Sequence, residues 1–105
     1  MQARIASFLN HCRVEKGLAL NSLDAYARDL AGLAGYCVER GWALENLTVE
    51  QLRRFLDSRY KARLSSRSIA RQLVSIRNFF RFLVQEGITT ADPTTDVTPD
   101  RKSVV

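Results

Sequence analysis

The chain has 105 residues, of which 46% are hydrophobic and 26% charged, and its formal net charge is +5. This length suits one domain with a real core but not two, and the composition is ordinary for a soluble globular protein. No apolar run approaches the roughly 20 residues that a membrane-spanning helix needs. The first residues lead directly into a helical pattern without a signal peptide, so we expect a cytoplasmic protein that does not associate with a membrane.

Two amphipathic helices are predicted in the first 41 residues. The first runs from about Gln2 to Lys16 and ends at Gly17, and the second is capped by Asn21 and ends at Gly41. Apolar residues recur in both at steps of three and four, which is typical of helices that pack on a core. The residues expected to face inward are Ile5, Phe8, Leu9, Cys12, Leu23, Tyr26, Ala27, Leu30, Leu33, Ala34 and Cys37.

Two glycines interrupt the second predicted helix. Gly32 and Gly35 each cost roughly 1 kcal/mol relative to alanine in a helix interior. Gly32 shares a face with Ala25 and Arg28, away from the core residues. That small face either permits the close approach of another helix or a nucleic-acid backbone, or it is simply tolerated.

Two further helices follow, and no alternating strand pattern is present. The third begins at Thr48 with Gln51 as its capping-box partner, and the fourth lies between the cap Ser65 and Gly87. Asp92 starts one further short turn. The sequence thus predicts an all-α fold. The inward residues expected here are Val49, Leu52, Phe55, Leu56, Tyr60, Ile69, Leu73, Ile76, Phe80 and Leu83.

The positive charge is concentrated in the fourth helix and the residues just before it. Residues 61–81 carry six Lys and Arg and no Asp or Glu, so the remaining ten basic and eleven acidic residues sum to about −1. Arg67, Arg71, Asn78 and Arg81 fall on the face opposite the apolar residues, and Arg63 extends the line upstream. A helix with such a face can enter the major groove of DNA and contact base edges and phosphates. The alternative is that the basic face is simply a solvated surface, as is common.

Catalytic and metal-binding patterns are not apparent in the sequence. His11 is the only histidine, and no glycine-rich phosphate loop or CxxC motif occurs. Cys12 and Cys37 fall on apolar helix faces, where buried free thiols are expected. We therefore interpret the chain as a binding module without catalytic residues, metal, cofactor or small-molecule ligand.

Two stretches resemble one known family. Residues 15–30, EKGLALNSLDAYARDL, are similar to the pattern E-K-x-L-x-x-N-T-L-x-A-Y-x-R-D-L of the core-binding domain of Xer-type tyrosine recombinases, in the phage integrase superfamily. Residues 65–83, SSRSIARQLVSIRNFFRFL, resemble the family's S-x-x-S-x-x-R-x-L-S-A-x-R-x-F-F-x-F-L. The later pairs at 86–87 and 92–93 match its closing E-G and N/D-P.

The resemblance implies a compact four-helix bundle of the SAM-like type, built from two crossed helix hairpins with a short extra C-terminal turn. In such recombinases the second and fourth helices lie against the major groove of the recombination site. Tyr26 occupies the family's tyrosine position, for which we expect a mainly structural role. The DNA contacts that the resemblance implies are Asn21, Ser22, Tyr26, Arg28, Ser66, Arg67, Ser68, Arg71, Gln72 and Ser75.

The same resemblance predicts how the chain is organised and with what it works. Residues 1–97 would form the core-binding domain, and residues 98–105 a linker towards a catalytic domain that this chain lacks. The implied partners are double-stranded DNA, the catalytic domain of the parent recombinase and partner recombinase subunits, which Ile5, Phe8 and Arg13 of the first helix would contact. The alternative is a helical protein-interaction or oligomerisation module, whose basic face would dock an acidic partner or another copy.

Overall fold

The computed structural model describes residues 2–90 and 92–95, which form four α-helices and a short 3₁₀ helix without a β-strand. The all-α fold expected from the sequence is therefore confirmed. The helices are α1 (Gln2–Glu15), α2 (Leu20–Arg40), α3 (Val49–Lys61) and α4 (Ser66–Gln85), and the 3₁₀ helix spans Leu44–Asn46.

The chain divides into two compact units, one ending at Leu44 and the other beginning at Glu45. In the first unit α1 packs against α2, and in the second α3 packs against α4. Each unit is thus an α-helical hairpin, because a short connection makes two consecutive helices pack as neighbours.

The core of the first hairpin follows the predicted apolar faces. Ile5, Phe8 and Cys12 of α1 are buried, as are all the aliphatic residues expected on α2 apart from Ala27. The ring of Phe8 stacks on that of Tyr26, with centroids 6.0 Å apart. Because Ile5 and Phe8 are buried, they do not offer the subunit contact that the resemblance implies. Leu9, Tyr26 and Ala27 are only partly buried, whereas Asp29, which no pattern placed in the core, is buried.

The start of α2 differs from the prediction. Asn21 is not the cap, because the helix begins at Leu20 and the N-cap residue is Ala19, with φ −68° and ψ 157° and no side-chain hydrogen bond. Asn21 is consequently the second helical residue, where its amide cannot accept from the first-turn N–H groups as an N-cap would. Its side chain is exposed and remains a candidate for contact with a ligand.

The ends of three helices share one hydrogen-bond pattern. After α2 and α4, Gly41 and Gly87 adopt φ values of 71° and 72°, as the glycine after a helix commonly does. After α3 the left-handed residue is Arg63, with φ 65°, and the next N–H, that of Leu64, donates to the carbonyl of Arg59 at 3.2 Å. This conformation is costly for a residue with a Cβ, so Arg63 holds its position under local backbone strain.

In the second hairpin α3 begins at the predicted capping box, and the buried face of α4 is wider than predicted. Thr48 and Gln51 form a reciprocal capping box, with N···O distances of 3.0 and 3.1 Å. All the apolar residues predicted to face inward on α4 are buried, and so are Phe79 and Phe82. Val49 and Tyr60 of α3 are half-buried. The residues of this unit that are at most 1% exposed are Leu52, Phe55, Ile69, Leu73, Ser75, Ile76, Phe79, Phe80, Leu83 and Thr94.

A short turn follows α4, as the Asp-Pro pair predicts. Asp92 Oδ1 accepts hydrogen bonds from the backbone N–H and the hydroxyl of Thr94, and its carbonyl accepts from the hydroxyl of Thr95 at 3.1 Å. This is the local Asx bonding that favours aspartate before a turn. The predicted tail of residues 98–105 lies outside the described residues.

Replacing Gly32 with alanine is expected to raise the free energy of unfolding by about 1 kcal/mol, and Gly35→Ala by a similar amount. A Cβ added at either glycine would meet no atom within 4 Å apart from its chain neighbours and the nearby backbone of α2, and neither residue has a positive φ. Thermal unfolding measures the effect, with Gly41→Ala as a control that should be destabilising because of its left-handed φ. A lowered melting temperature for Gly32→Ala would contradict the prediction.

The same variant also distinguishes the two interpretations of this small face. A loss of DNA affinity in Gly32→Ala would favour close approach of a nucleic-acid backbone over a glycine that the helix merely tolerates.

Candidate nucleic-acid interface

One face of α4 carries an exposed basic stripe. Arg67, Arg71, Val74, Asn78 and Arg81 follow one another at steps of four, three, four and three residues, which places them in one line along a helix. All but the half-buried Asn78 are exposed. Arg63 is also exposed and continues the line before the helix begins. We call these six residues the α4 stripe.

The α4 stripe lies in a segment of the chain without acidic residues. Residues 61–81 contain no Asp or Glu. Within the part of the chain that the structure describes, Arg63, Arg67 and Arg81 make no ion pair with a carboxylate. Guanidinium groups that follow one another along one helix face create a positive potential that attracts a polyanion. Guanidinium also offers the planar fork of N–H groups that fits phosphate oxygens or a guanine edge.

The N-terminus of α4 adds to this positive potential. Ser65 caps the helix through its hydroxyl oxygen, which accepts from the N–H of Ser68 at 3.1 Å. The first turn contains exposed Ser66 and Arg67 and no acidic residue. A helix N-terminus carries a partial positive charge and N–H groups with no acceptor inside the helix. Ser66 and Arg67 therefore lie where a phosphate would be favoured.

Three other residues predicted to contact DNA lie away from the α4 stripe. Ser75 is 0% exposed, and its hydroxyl donates to the carbonyl of Arg71 at 3.4 Å. Gln72 and Ser68 are half-buried, and the Ser68 Oγ accepts a hydrogen bond from the hydroxyl of Ser65 at 3.0 Å. A fully buried hydroxyl cannot reach an external ligand, so we leave Ser75 out of the proposed interface. The exposed face also contains Arg63 and Arg81, which the sequence pattern placed there, and Val74; the list of implied DNA contacts includes none of these three.

The predicted residues of α2 lie in the first hairpin. Asn21, Ser22 and Arg28 are exposed, and Asn21 and Arg28 share one face of the helix because they are seven residues apart. Tyr26 is half-buried against Phe8. This stacking gives Tyr26 a packing role in the hairpin, as expected, and leaves the three polar residues as the surface candidates.

The two cysteines lie in the interior. Cys12 and Cys37 are free thiols and both are buried. Burial raises the pKa of each thiol, and nearby Lys16 and Arg40 only partly offset that rise. Both therefore stay protonated at neutral pH and are poor nucleophiles.

Across residues 2–90 and 92–95 no group of three or more His, Cys, Asp and Glu side chains could hold a metal ion. Nor does any helix in that part have the length and apolarity to cross a membrane.

Comparison with known proteins identifies the family. Residues 5–87 match the family described as the phage integrase N-terminal SAM-like domain. The chain belongs to this family. The matched range contains all four helices except the first residues of α1, and it contains the whole α4 stripe. No solved structure matches this chain significantly.

Relatives of this SAM-like domain include tyrosine recombinases. The chain is 37% identical over 102 residues to the tyrosine recombinase XerC of Azotobacter vinelandii, covering 96% of this chain and 34% of the relative. It is 36% identical over 102 residues to the tyrosine recombinase XerD of Agrobacterium fabrum, covering 97% of this chain and 31% of the relative. The chain thus spans about a third of the length of these relatives.

Proposed function

We propose that this chain is the DNA-binding domain of a site-specific tyrosine recombinase and grips duplex DNA through the major groove. The observation that carries the proposal is the exposed α4 stripe, whose four arginines lie within a segment that has no acidic residue. The similarity to two tyrosine recombinases supports DNA as the polyanion. Asn21, Ser22 and Arg28 of α2 are proposed as a second set of contacts.

The proposed binding mode follows from the dimensions and chemistry of α4. A major groove about 12 Å wide accepts one α-helix. Arg67 and Ser66, at the positive end of the helix, are proposed to hold a phosphate, since phosphate contacts fix the position of a protein on the duplex. Arg71 and Arg81 lie further along the same face, where guanidinium groups can reach either a phosphate or a guanine edge.

We propose binding, and no strand cleavage, for these residues. The buried protonated thiols are poor nucleophiles. The catalytic step is proposed for another domain of the recombinase, with neighbouring recombinase subunits as further partners. This DNA-binding domain by itself would bind with the affinity of non-specific complexes, on the order of 10⁻⁴–10⁻⁶ M at physiological salt.

Arg71→Ala is expected to weaken binding to a labelled duplex of about 30 base pairs by roughly fivefold to tenfold, because one charged hydrogen-bond partner of the DNA is lost. The slope of log affinity against log salt should fall by about one unit. Fluorescence anisotropy across a salt titration measures both quantities. Arg53→Ala is the matched control, since Arg53 is an exposed arginine on α3 outside the α4 stripe. Equal affinity and slope for the wild type and Arg71→Ala would contradict the proposed interface.

A protein-interaction module remains the second candidate, and a specific observation favours it. Val14, Leu20 and Val38 of the first hairpin are large apolar residues with most of their surface exposed. Sedimentation at two protein concentrations, with and without duplex DNA, separates the two functions. Self-association without DNA affinity would favour the interaction module, whereas co-sedimentation with DNA of an otherwise monomeric chain would favour the DNA-binding domain.

A further inference from the structure

Val74 is an apolar residue in the middle of the proposed DNA-binding face. It lies three residues after Arg71 and four before Asn78, so it occupies the centre of the α4 stripe. It is 47% exposed, on the side of the helix opposite the buried Ile76 and Leu83. A single exposed valine does not by itself indicate a binding site, since folded proteins expose many apolar atoms. Its place in the row of polar and charged side chains is what requires an explanation.

The chemistry of the major groove supplies a partner for such a residue. Of the four bases, only thymine presents an apolar group there, its C5-methyl, while the remaining base edges present hydrogen-bond donors and acceptors. Valine has two methyl groups and no side-chain hydrogen-bonding group. Set against a donor or acceptor it would leave that group unpaired and desolvated, which disfavours binding. Set against a thymine methyl it would bury apolar surface.

From this arrangement we propose that Val74 is a specificity-determining residue that contacts a thymine C5-methyl in the major groove. The proposal rests on the proposed function, because it requires α4 to enter that groove. Arginines on either side of Val74 hold the helix against the DNA, and their phosphate contacts carry no sequence information. Val74 would then favour an A·T pair over a G·C pair at the position that it faces.

The stiffness of the side chain strengthens this role. A β-branched valine in a helix has one strongly preferred rotamer. Its two methyl groups therefore project in fixed directions from α4 and lose little freedom on binding, unlike the long arginine side chains around it. A short rigid apolar side chain flanked by long charged ones is suited to reading one base while its neighbours grip the backbone.

The test compares thymine with deoxyuridine, which differs only by the absence of the C5-methyl. Duplexes of 30 base pairs that bind the full chain are selected from a random pool, and the same sequences are then made with deoxyuridine in place of thymine. The wild type is expected to bind the deoxyuridine duplexes about fourfold more weakly, the effect of burying one methyl group. Deoxyuridine placed at one position at a time should trace the loss to a single base pair.

Val74→Ser removes both methyl groups and is expected to bind thymine and deoxyuridine duplexes equally. Val84→Ser is the matched control, because Val84 is 41% exposed on α4 but outside the α4 stripe, and it should keep the fourfold difference. Circular dichroism verifies that both variants are folded. Equal binding of both duplexes by the wild type, or a difference that persists in Val74→Ser, overturns the Val74 proposal while leaving DNA binding intact. A wild-type chain that binds no duplex even at low salt overturns the proposed function and this inference together.

Discussion

The combined replacement of Arg67, Arg71 and Arg81 with alanine is expected to lower the affinity for duplex DNA by roughly a hundredfold at low salt. Each lost guanidinium removes about 1 kcal/mol of net charged hydrogen bonding. Three lost phosphate contacts would reduce the salt slope by about 2.7, at about 0.9 per contact. The three residues are exposed and make up half of the α4 stripe, so the melting temperature should change little. Anisotropy titrations at several salt concentrations give both the affinity and the slope.

A control with the same charge change separates contacts made by the α4 stripe from the general attraction between a positive protein and DNA. Arg4, Arg13 and Arg53 are exposed and lie on α1 and α3, and replacing them together also lowers the net charge by three. At 0.1 M salt this variant should lose far less affinity than the α4 triple variant, because the long-range field is then screened over about 10 Å. Comparable losses in the two triple variants would mean that the α4 stripe has no special role.

Phe80→Ala is expected to lower the free energy of unfolding by about 3–5 kcal/mol, the usual cost of removing a buried aromatic ring. Phe80 is 0% exposed and meets the ring of Phe79 edge-on, with centroids 5.6 Å apart. A native domain is stable by only about 5–15 kcal/mol, so this single change removes a large part of the total. Urea unfolding followed by circular dichroism measures it. Val84→Ala on the same helix should change the stability by less than about 0.5 kcal/mol, because Val84 is a surface residue that is 41% exposed.

Tryptophan fluorescence tests whether the loss of stability in Phe80→Ala extends to the first hairpin. Trp42 is the only tryptophan and lies in the first hairpin, where its ring is 5.7 Å from that of Tyr36. If the chain unfolds in one cooperative step, Trp42 fluorescence and circular dichroism should give the same lowered midpoint in Phe80→Ala. A fluorescence midpoint that stays at the wild-type value would show that the destabilisation is confined to the second hairpin. A circular-dichroism midpoint equal to that of the wild type would contradict the prediction.

The sequence predicted helix ends best where a local interaction defines them. The Thr48–Gln51 capping box, the Ser65 cap and the glycines after α2 and α4 all lie where the pattern placed them. These signals involve side chains and backbone groups within a few residues of one another, so they need no knowledge of the rest of the fold. Asn21 shows the limit of such reasoning, because α2 begins earlier, at Leu20, without a capping side chain.

The sequence by itself determined the all-α class, most of the inward apolar residues, the basic face of α4 and the family. Periodicity and local charge are properties of a single helix, so they can be read from the order of residues alone. Only the tertiary structure decided that Ser75 is buried rather than available to a ligand and that Asp29 lies inside. It also placed Arg63 in a left-handed conformation beside the basic face. Burial depends on how far the packing covers the sides of each helix, and a helical wheel does not contain that information.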